Sequence, residues 1–323
     1  MPYYQYTQGR TLHVDKYLSN IAMNYRPAGM IVDRILPTVP VMNQSDLIKT
    51  YSQADLYRIE NAKRSPGTEA NRIQLQVGSD YYFANNYALK GFVPIEDRKN
   101  ADPGFIRDLE VGKVESIKDK LMMGWELRVA QTVTTSTNVN TVYTVGSGWT
   151  DLVNADPFGD LNTALDYSWD STGYRANRMV IGEQAWRNLS RNENIINKVN
   201  ATGVEGGDMN AKQRQIAELF ELEEVLVGRA QYNSADEGIA LNLTPMWSDT
   251  VFLYYAPARP SLEEPSYGYS FRWTKPGLAN MNVERHPYDS RTKSDEFEVG
   301  YYQAEKVTAP SLGITMINVN TST

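Results

Sequence analysis

Residues 102–133 read DPGFIRDLEVGKVESIKDKLMMGWELRVAQTV, and the rest of the chain is organised around them. Asp102 is a good N-cap, because its side-chain oxygen accepts from free first-turn amides, and Pro103 suits the first helical position. Apolar residues recur at Ile106, Leu109, Val114, Ile117, Leu121, Trp125, Val129 and Val133, mostly three or four apart, which places them on one helix face. Ile117, Leu121 and Trp125 are predicted to point inward. Arg107, Lys113, Lys118, Lys120 and Arg128 alternate with Asp108, Glu110, Glu115, Asp119 and Glu126 on the remaining surface, expected to meet water. Gly112 and Gly124 weaken the helix by about 1 kcal/mol each and are expected where another backbone comes close. At 1.5 Å per residue, about thirty residues make a rod of roughly 45 Å, well beyond the average helix. No long heptad run follows, which argues against a coiled coil. A rod of this kind is a scaffold element.

The composition narrows the function classes. A chain of 323 residues can bury a sizeable core as one large domain or two intimate ones. Tyr (21) outnumbers Phe (8), which favours broad half-buried sheets and contact surfaces over one deep apolar core. A formal net charge of −7 makes tight, salt-sensitive binding of a phosphate backbone a poor fit. Zero Cys excludes disulfides, thiolate catalysis and Cys-ligated zinc, and fits maturation in a reducing cytoplasm. The opening Met-Pro-Tyr-Tyr-Gln-Tyr lacks a basic segment followed by an apolar run, so no signal peptide is expected. No stretch is long and apolar enough for a membrane span.

Residues 1–60 are polar and interrupted by Pro2, Pro27, Pro37 and Pro40. Val14 to Met23 is predicted as a short helix with Tyr17, Leu18 and Ile21 on one side. Ala28 to Val41 is apolar enough to lie along a surface but cannot close a core. This part is either a tail without a surface or an arm on a neighbouring subunit, and its apolar groups favour the arm. Residues 61–98 read as a projecting β-hairpin. Ile73, Leu75 and Val77 alternate with Arg72, Gln74 and Gln76, Gly78-Ser79-Asp80 is expected to turn, and Tyr81 to Ile95 returns through Tyr82 and Phe83. A lone two-stranded hairpin is marginal in water, so a partner surface is implied.

After the rod, Thr134 to Thr150 reads as a loop holding a short Val142–Val145 strand. Asp156-Pro157 then opens a helix through Leu161, Ala164, Leu165 and Trp169. Arg178 to Gly182 is a fully apolar strand running straight into the helix Glu183 to Leu189. Asn210 to Leu222 is a second amphipathic helix, with Ile216, Leu219 and Phe220 inward. Val225 to Gly228 and Val251 to Tyr255 are further buried strands, giving an α/β layer. The end returns to β: Asn282 to Tyr288, a second strand through Phe297, Val299 and Tyr301, and a last one with Ile314, Met316 and Val319. These terminal strands are expected to fold back beside the rod, with a charged hairpin loop from Asp289 to Asp295 between the first two.

Catalytic and metal constellations are not found in the sequence. The two His, His13 and His286, lie far apart and read as packed or half-exposed rings, without H-E-x-x-H or EF-hand spacing. Asp289, Asp295, Glu296 and Glu298 mix with Arg285, Arg291 and Lys293, which reads as a solvated or inter-subunit ion-pair loop. The glycine-containing Gly203 to Asp208 has no Lys-Ser/Thr and carries acids, so it reads as a loop rather than a phosphate cradle. Glu263 and Glu264 beside Pro265 read as an exposed turn. No cofactor, no metal and no enzymatic activity are expected.

The order arm, projecting hairpin, long helix, α/β layer and returning strands resembles the major capsid proteins of tailed bacteriophages. These have the Hong Kong 97-type fold, shared with encapsulins. Met179-Val180-Ile181 running into Gln184-Ala185-Trp186-Arg187-Asn188-Leu189 resembles the strand-to-helix step of that family's axial domain. Leu219 to Ala230 is similar to its following helix and strand, and Asp295 to Tyr302 to its late peripheral strand. The resemblance implies an α+β fold with an N-terminal arm (1–60), an extended β-hairpin loop (61–100), and a spine helix with the start of a peripheral domain (101–150). A central α/β axial domain (151–275) and peripheral C-terminal strands (276–323) complete it. It implies a homo-oligomer of hexamers and pentamers forming a virion capsid around DNA without sequence-specific binding, assembled in the host bacterial cytoplasm. A portal, a separate scaffolding protein (the chain starts almost at the arm) and a decoration or cement protein are the further partners, with no membrane. An encapsulin-type nanocompartment is the alternative, with a tail or decoration protein behind it. The family's covalent Lys–Asn cross-link finds no matching motif here. Ile73, Leu75, Val77, Tyr82, Phe83, Arg291, Lys293 and Asp295 are the candidate inter-subunit contacts.

Overall fold

The computed structural model describes residues 13–14, 16–24, 29–51, 57–59, 62–67, 69–70, 77–100, 105–201, 209–259, 265–274, 281–286 and 291–320. The first half contains β1 (His13–Val14), α1 (Lys16–Asn24), α2 (Val32–Ile35), β2 (Thr38–Val41), β3 (Ser45–Tyr51), β4 (Val77–Phe83), β5 (Asn85–Pro94), α3 (Ile95–Asn100), α4 (Phe105–Thr134) and β6 (Thr141–Thr144). The α/β part follows with α5 (Pro157–Thr172), β7 (Arg178–Gly182), α6 (Glu183–Arg191), α7 (Glu193–Ala201), α8 (Met209–Leu219), β8 (Glu224–Gly228), β9 (Gln231–Asn233), β10 (Leu243–Pro245) and β11 (Val251–Tyr254). Strands β12 (Gly268–Trp273), β13 (Asn282–Arg285), β14 (Ser294–Val307) and β15 (Gly313–Ile317) complete the chain.

The rod α4 is a single helix that serves two cores. Its first half buries Val114, Ile117 and Leu121 against Val283, Phe297, Val299 and Tyr301 of the larger sheet, with Leu18 and Ala22 of α1 closing the side. Its second half buries Trp125, Val129, Ala130 and Val133 against Val180, Leu226, Phe252 and Tyr254 of the α/β sheet, with Ile35 and Leu36 of the arm. Each such side chain removed from water contributes about 1.5–3 kcal/mol, so the rod is fixed to both sheets at once. Leu109, expected inward, is exposed. The close backbone approach is made by the opposite partner: a Cβ on Gly91 of β5 would lie 2.7 Å from Ile117 Cδ1. Gly112 meets nothing within 4 Å, and Gly124 meets only Arg128 Nη1 at 3.6 Å, so neither helix glycine makes room for a backbone. Asp102 and Pro103, the expected cap, lie outside the described residues.

The larger sheet runs β1-β13-β14-β12-β2, with β14 also pairing β5 along its other edge. Phe297, Val299 and Tyr301 alternate inward along β14, as their spacing predicts. The smaller sheet runs β6-β15-β11-β7-β8. Its central strand β11 is buried at every position, and β7 and β8 at every position after their first residues, because both faces are covered there. Met179 and Ile181 face the core shared with the helices α5 to α8, while Val180 faces the rod. Asp156 caps α5 through its side chain, accepting from the Gly159 amide, with Pro157 at the first helical position. Trp169, toward the far end of that helix, is exposed.

Three strand assignments differ from the sequence reading. The last strand, β15, does not lie beside the rod with β14 but enters the α/β sheet between β6 and β11. Strand β12, expected with the α/β layer, instead pairs β14 and β2 in the larger sheet. The projecting hairpin is built from β3 and β4, with Leu47 opposite Tyr81 and Thr50 opposite Gly78. Gly78-Ser79-Asp80 is therefore strand, not turn, and β5 pairs β14 rather than returning along the hairpin. Turn-forming residues were outweighed here by a ladder closed with a segment more than twenty-five residues upstream.

Candidate assembly surfaces

The hairpin of β3 and β4 has two unlike faces, because side chains alternate along each strand. Ile48 and Tyr82 point inward and form a small core with Tyr269 and Phe271. The Tyr82 and Phe271 rings stack at 4.7 Å, the Tyr82 hydroxyl donates to the Asn43 carbonyl at 3.1 Å, and burial pushes its phenol up. Lys306 of β14 pins the same ribbon through Asp80 at 2.8 Å, a bond that holds the Asp80 carboxyl below the usual range. On the opposite face Leu47 and Tyr81, each 69% exposed, stand directly across the ladder, and Phe83, 52% exposed, follows two residues along.

A second ribbon, β9 with β10, carries Ile239, Leu241 and Leu243 near its tip, at alternating positions and all exposed. Its base is anchored by Met246 and Trp247, both buried. Gly228 makes room for the indole: a Cβ there would lie 2.3 Å from Trp247 Cδ1. The sequence reading passed over this ribbon, although the alternation of Ile239, Leu241 and Leu243 with Ala240 and Asn242 was visible.

Of the candidate contact residues, Phe83 is on the outward face. Lys293 and Arg291 are exposed in the turn before β14, where Lys293 adopts φ 47° and its carbonyl accepts from the Ile95 amide at 2.9 Å. Tyr82 packs on its own sheet. Asp295 bonds Arg98 of α3 and lies 3.7 Å from Arg285 of β13. The same two arginines reach Glu110 of the rod at 3.5 and 2.9 Å. This four-membered cluster ties α3, the rod, β13 and β14 within one subunit. Ile73 and Leu75 lie outside the described residues, as does the side chain of Val77. The 203–208 loop, Glu263, Glu264 and Asp289 also lie outside them. His286 faces Glu298 at 3.1 Å, which accounts for that half-buried ring.

Buried charge on the rod escaped the helical pattern. Lys118 donates to the Ala22 carbonyl near the end of α1, so the arm helix docks on its own rod. Arg128 lies 3.7 Å above the Tyr87 ring and donates to Glu305 Oε1 at 3.0 Å and the Tyr301 hydroxyl at 3.3 Å. Arg272 sits between Trp125 and Tyr301, its pKa lowered by burial. Glu126, fully buried, accepts from Trp247 Nε1 at 2.8 Å and the Ile31 amide at 3.0 Å. Beside β8 and α6 an open cleft of about 490 Å³ contains Glu183, but both its oxygens are taken, by Arg187 at 3.1 Å and Arg229 at 2.8 Å.

No family model matches the chain. The major capsid protein of Pseudomonas phage JBD67 is 26% identical over 318 residues, covering 94% of this chain and 96% of that protein. That of Burkholderia phage BcepMu is 26% identical over 283 residues, covering 84% of this chain and 87% of that one. The chain is a homologue of phage major capsid proteins. Among solved structures, a phage-related protein from Bordetella bronchiseptica RB50 superposes with a TM-score of 0.72 at 23% identity, covering 96% of this chain and 99% of that one. The capsid of Cyanophage P-SCSP1u gives 0.55 at 12% identity over 93% of this chain and 90% of that one. This capsid-protein homologue therefore has the α+β Hong Kong 97-type fold. Rod, hairpin and α/β sheet are its spine helix, extended loop and axial core.

Proposed function

We propose that this chain is the major capsid protein of a tailed phage, building an icosahedral head shell of hexamers and pentamers around double-stranded DNA. The observation that carries the reading is the outward face of the β3–β4 hairpin. Leu47, Tyr81 and Phe83 form an apolar strip on a ribbon whose other face is already used by its own subunit. Exposed apolar strips of this kind mark protein–protein contact. A thin closed wall needs each subunit to give much of its surface to neighbours, and ribbons reach them with little bulk. The net charge of −7 suits a wall that encloses DNA without gripping it.

The reading extends to a separate scaffolding protein, a portal and a decoration or cement protein as partners, with assembly in the host cytoplasm. The test is electron microscopy of the protein co-expressed with the scaffolding gene of its own cluster, together with a nucleic-acid assay after nuclease treatment of heads from a lysate. Closed shells whose DNA survives nuclease are expected. Shells filled with a protein cargo would point instead to a nanocompartment, and a monodisperse monomer under all conditions would overturn the shell reading.

A further inference from the structure

The β9–β10 ribbon is held in shape up to its tip. Asn233 Oδ1 accepts from the Ala235 amide at 3.2 Å and the Asn242 amide at 3.0 Å, and the Ser234 amide donates to the Asn242 carbonyl at 2.9 Å. The Ile239 amide closes the turn on the Asp236 carbonyl at 3.1 Å, with Gly238 at φ 86°. A tip already fixed in one shape loses little freedom on binding. It carries two kinds of surface. Ile239, Leu241 and Leu243, each more than half exposed, make an apolar strip of the kind that marks protein contact. Asp236 and Glu237 are the only charged residues from Gln231 to Pro245, and both are exposed. The opposite charge lies at the base of the same ribbon. Gln231 and Pro245 line the cleft of about 490 Å³ together with Ser248, Glu183, Arg187 and Arg229, so two guanidiniums stand there against one carboxylate. Both meet Glu183 through Nε, and the Arg187 side chain stays 62% exposed. The acidic turn of the same subunit does not line this cleft.

Resting on the shell reading above, we infer that the β9–β10 tip of one subunit docks on the cleft of a second copy, with Asp236 and Glu237 against Arg187 and Arg229. The two patches differ and sit at opposite ends of one ribbon, so the contact is head-to-tail, and a head-to-tail contact that closes makes a ring. Exposed ion pairs are individually weak. The apolar strip therefore supplies the buried area, while the charges set partner and register.

The test uses the absence of cysteine from the chain. Ala240→Cys places a thiol on the tip beside the acids, and Ser248→Cys places one in the cleft, both at exposed positions. Particles of the double variant, treated with a short bismaleimide and run on a denaturing gel, should give a ladder of covalent oligomers ending at pentamers and hexamers. Each single variant should stay monomeric, and particles mixed from the two should stop at dimers. A gel without a ladder, a link within the monomer, or links in a single variant overturns the docking. Arg187→Glu in the double variant reverses the balance of charge in the cleft and should remove most of the ladder. Adding Asp236→Lys and Glu237→Lys should restore it, which a misfolded subunit would not allow. A ladder untouched by Arg187→Glu, or one that the lysines fail to restore, overturns the charge pairing. If the wild-type chain builds no particles, the shell reading fails, while the same cross-linking of the concentrated subunit still decides the docking.

Discussion

The carboxylate of Glu126 and the indole of Trp247, 121 residues apart, meet at 2.8 Å in an interior that holds the spine helix against the axial sheet. The Ile31 amide supplies a further donor from the arm. Burial raises the Glu126 pKa, and the hydrogen bonds offset only part of that. A carboxyl raised in the folded state binds its proton more tightly there than in the unfolded chain. Its contribution is therefore full below the ordinary Glu pKa and is lost as pH rises through the native value. Glu126→Gln should destabilise by about 1–3 kcal/mol, because the amide keeps one accepting oxygen and turns its NH2 toward the other donor, Trp247 Nε1 or the Ile31 amide. The wild-type advantage over Glu126→Gln should grow on acidification from about pH 8 to pH 5. Urea midpoints across that range check it, and an advantage that is flat or shrinks contradicts the assignment.

Trp125 touches both cores and stands beside Tyr301 and Arg272. Trp125→Ala should cost about 3–5 kcal/mol through lost burial and a cavity. Chemical denaturation of the free subunit gives the number, and a wild-type midpoint would count against the helix as the element joining the two sheets.

Adjacent residues of one strand should separate folding from assembly. Tyr82→Ala removes a ring stacked on Phe271 and should lower subunit stability by about 3 kcal/mol. Tyr81→Ser, next in sequence and outward, should leave the unfolding midpoint within about 0.5 kcal/mol while reducing particle yield in sedimentation. The reverse pattern would mean that the faces are misassigned.

The same logic divides the 291–295 segment. Asp295→Asn should weaken the subunit itself, by about 1–3 kcal/mol, since it leaves Arg98 and Arg285 short of a partner. Arg291→Glu should spare the fold and lower particle yield at low salt, with recovery as salt screens the new charge. Sedimentation across a salt series, beside circular dichroism of the free subunit, distinguishes the two.

What was legible in the sequence follows the range of the interactions. The spine helix and the step from Arg178–Gly182 into Glu183 could be read because their periodicity is local. The pairing of β3 with β4 could not, since the adjacent Leu47 and Ile48 break any period-two pattern in Ser45–Tyr51 while Gly78-Ser79-Asp80 imitates a turn. Glu126 falls on the side of the helix that the local pattern gives to water. Only Trp247 and Ile31, brought in by the fold, show that it is buried. Asp295 was read as an assembly contact because its charge stands in a hairpin loop, and its partner Arg98 lies 197 residues away. Strand β15 fits either sheet by composition, and its register with β11 decides the matter.

The account depends most on the outward hairpin face being buried between copies, and the chain's lack of cysteine makes this directly measurable. A single Leu47→Cys substitution places one thiol on that face. Its labelling rate by a maleimide reagent is compared between free subunits and closed particles identified by electron microscopy. Rapid labelling of the free subunit with at least about tenfold protection in the particle is the predicted result, since burial at an interface excludes solvent from the thiol. Equal labelling in both states would contradict it.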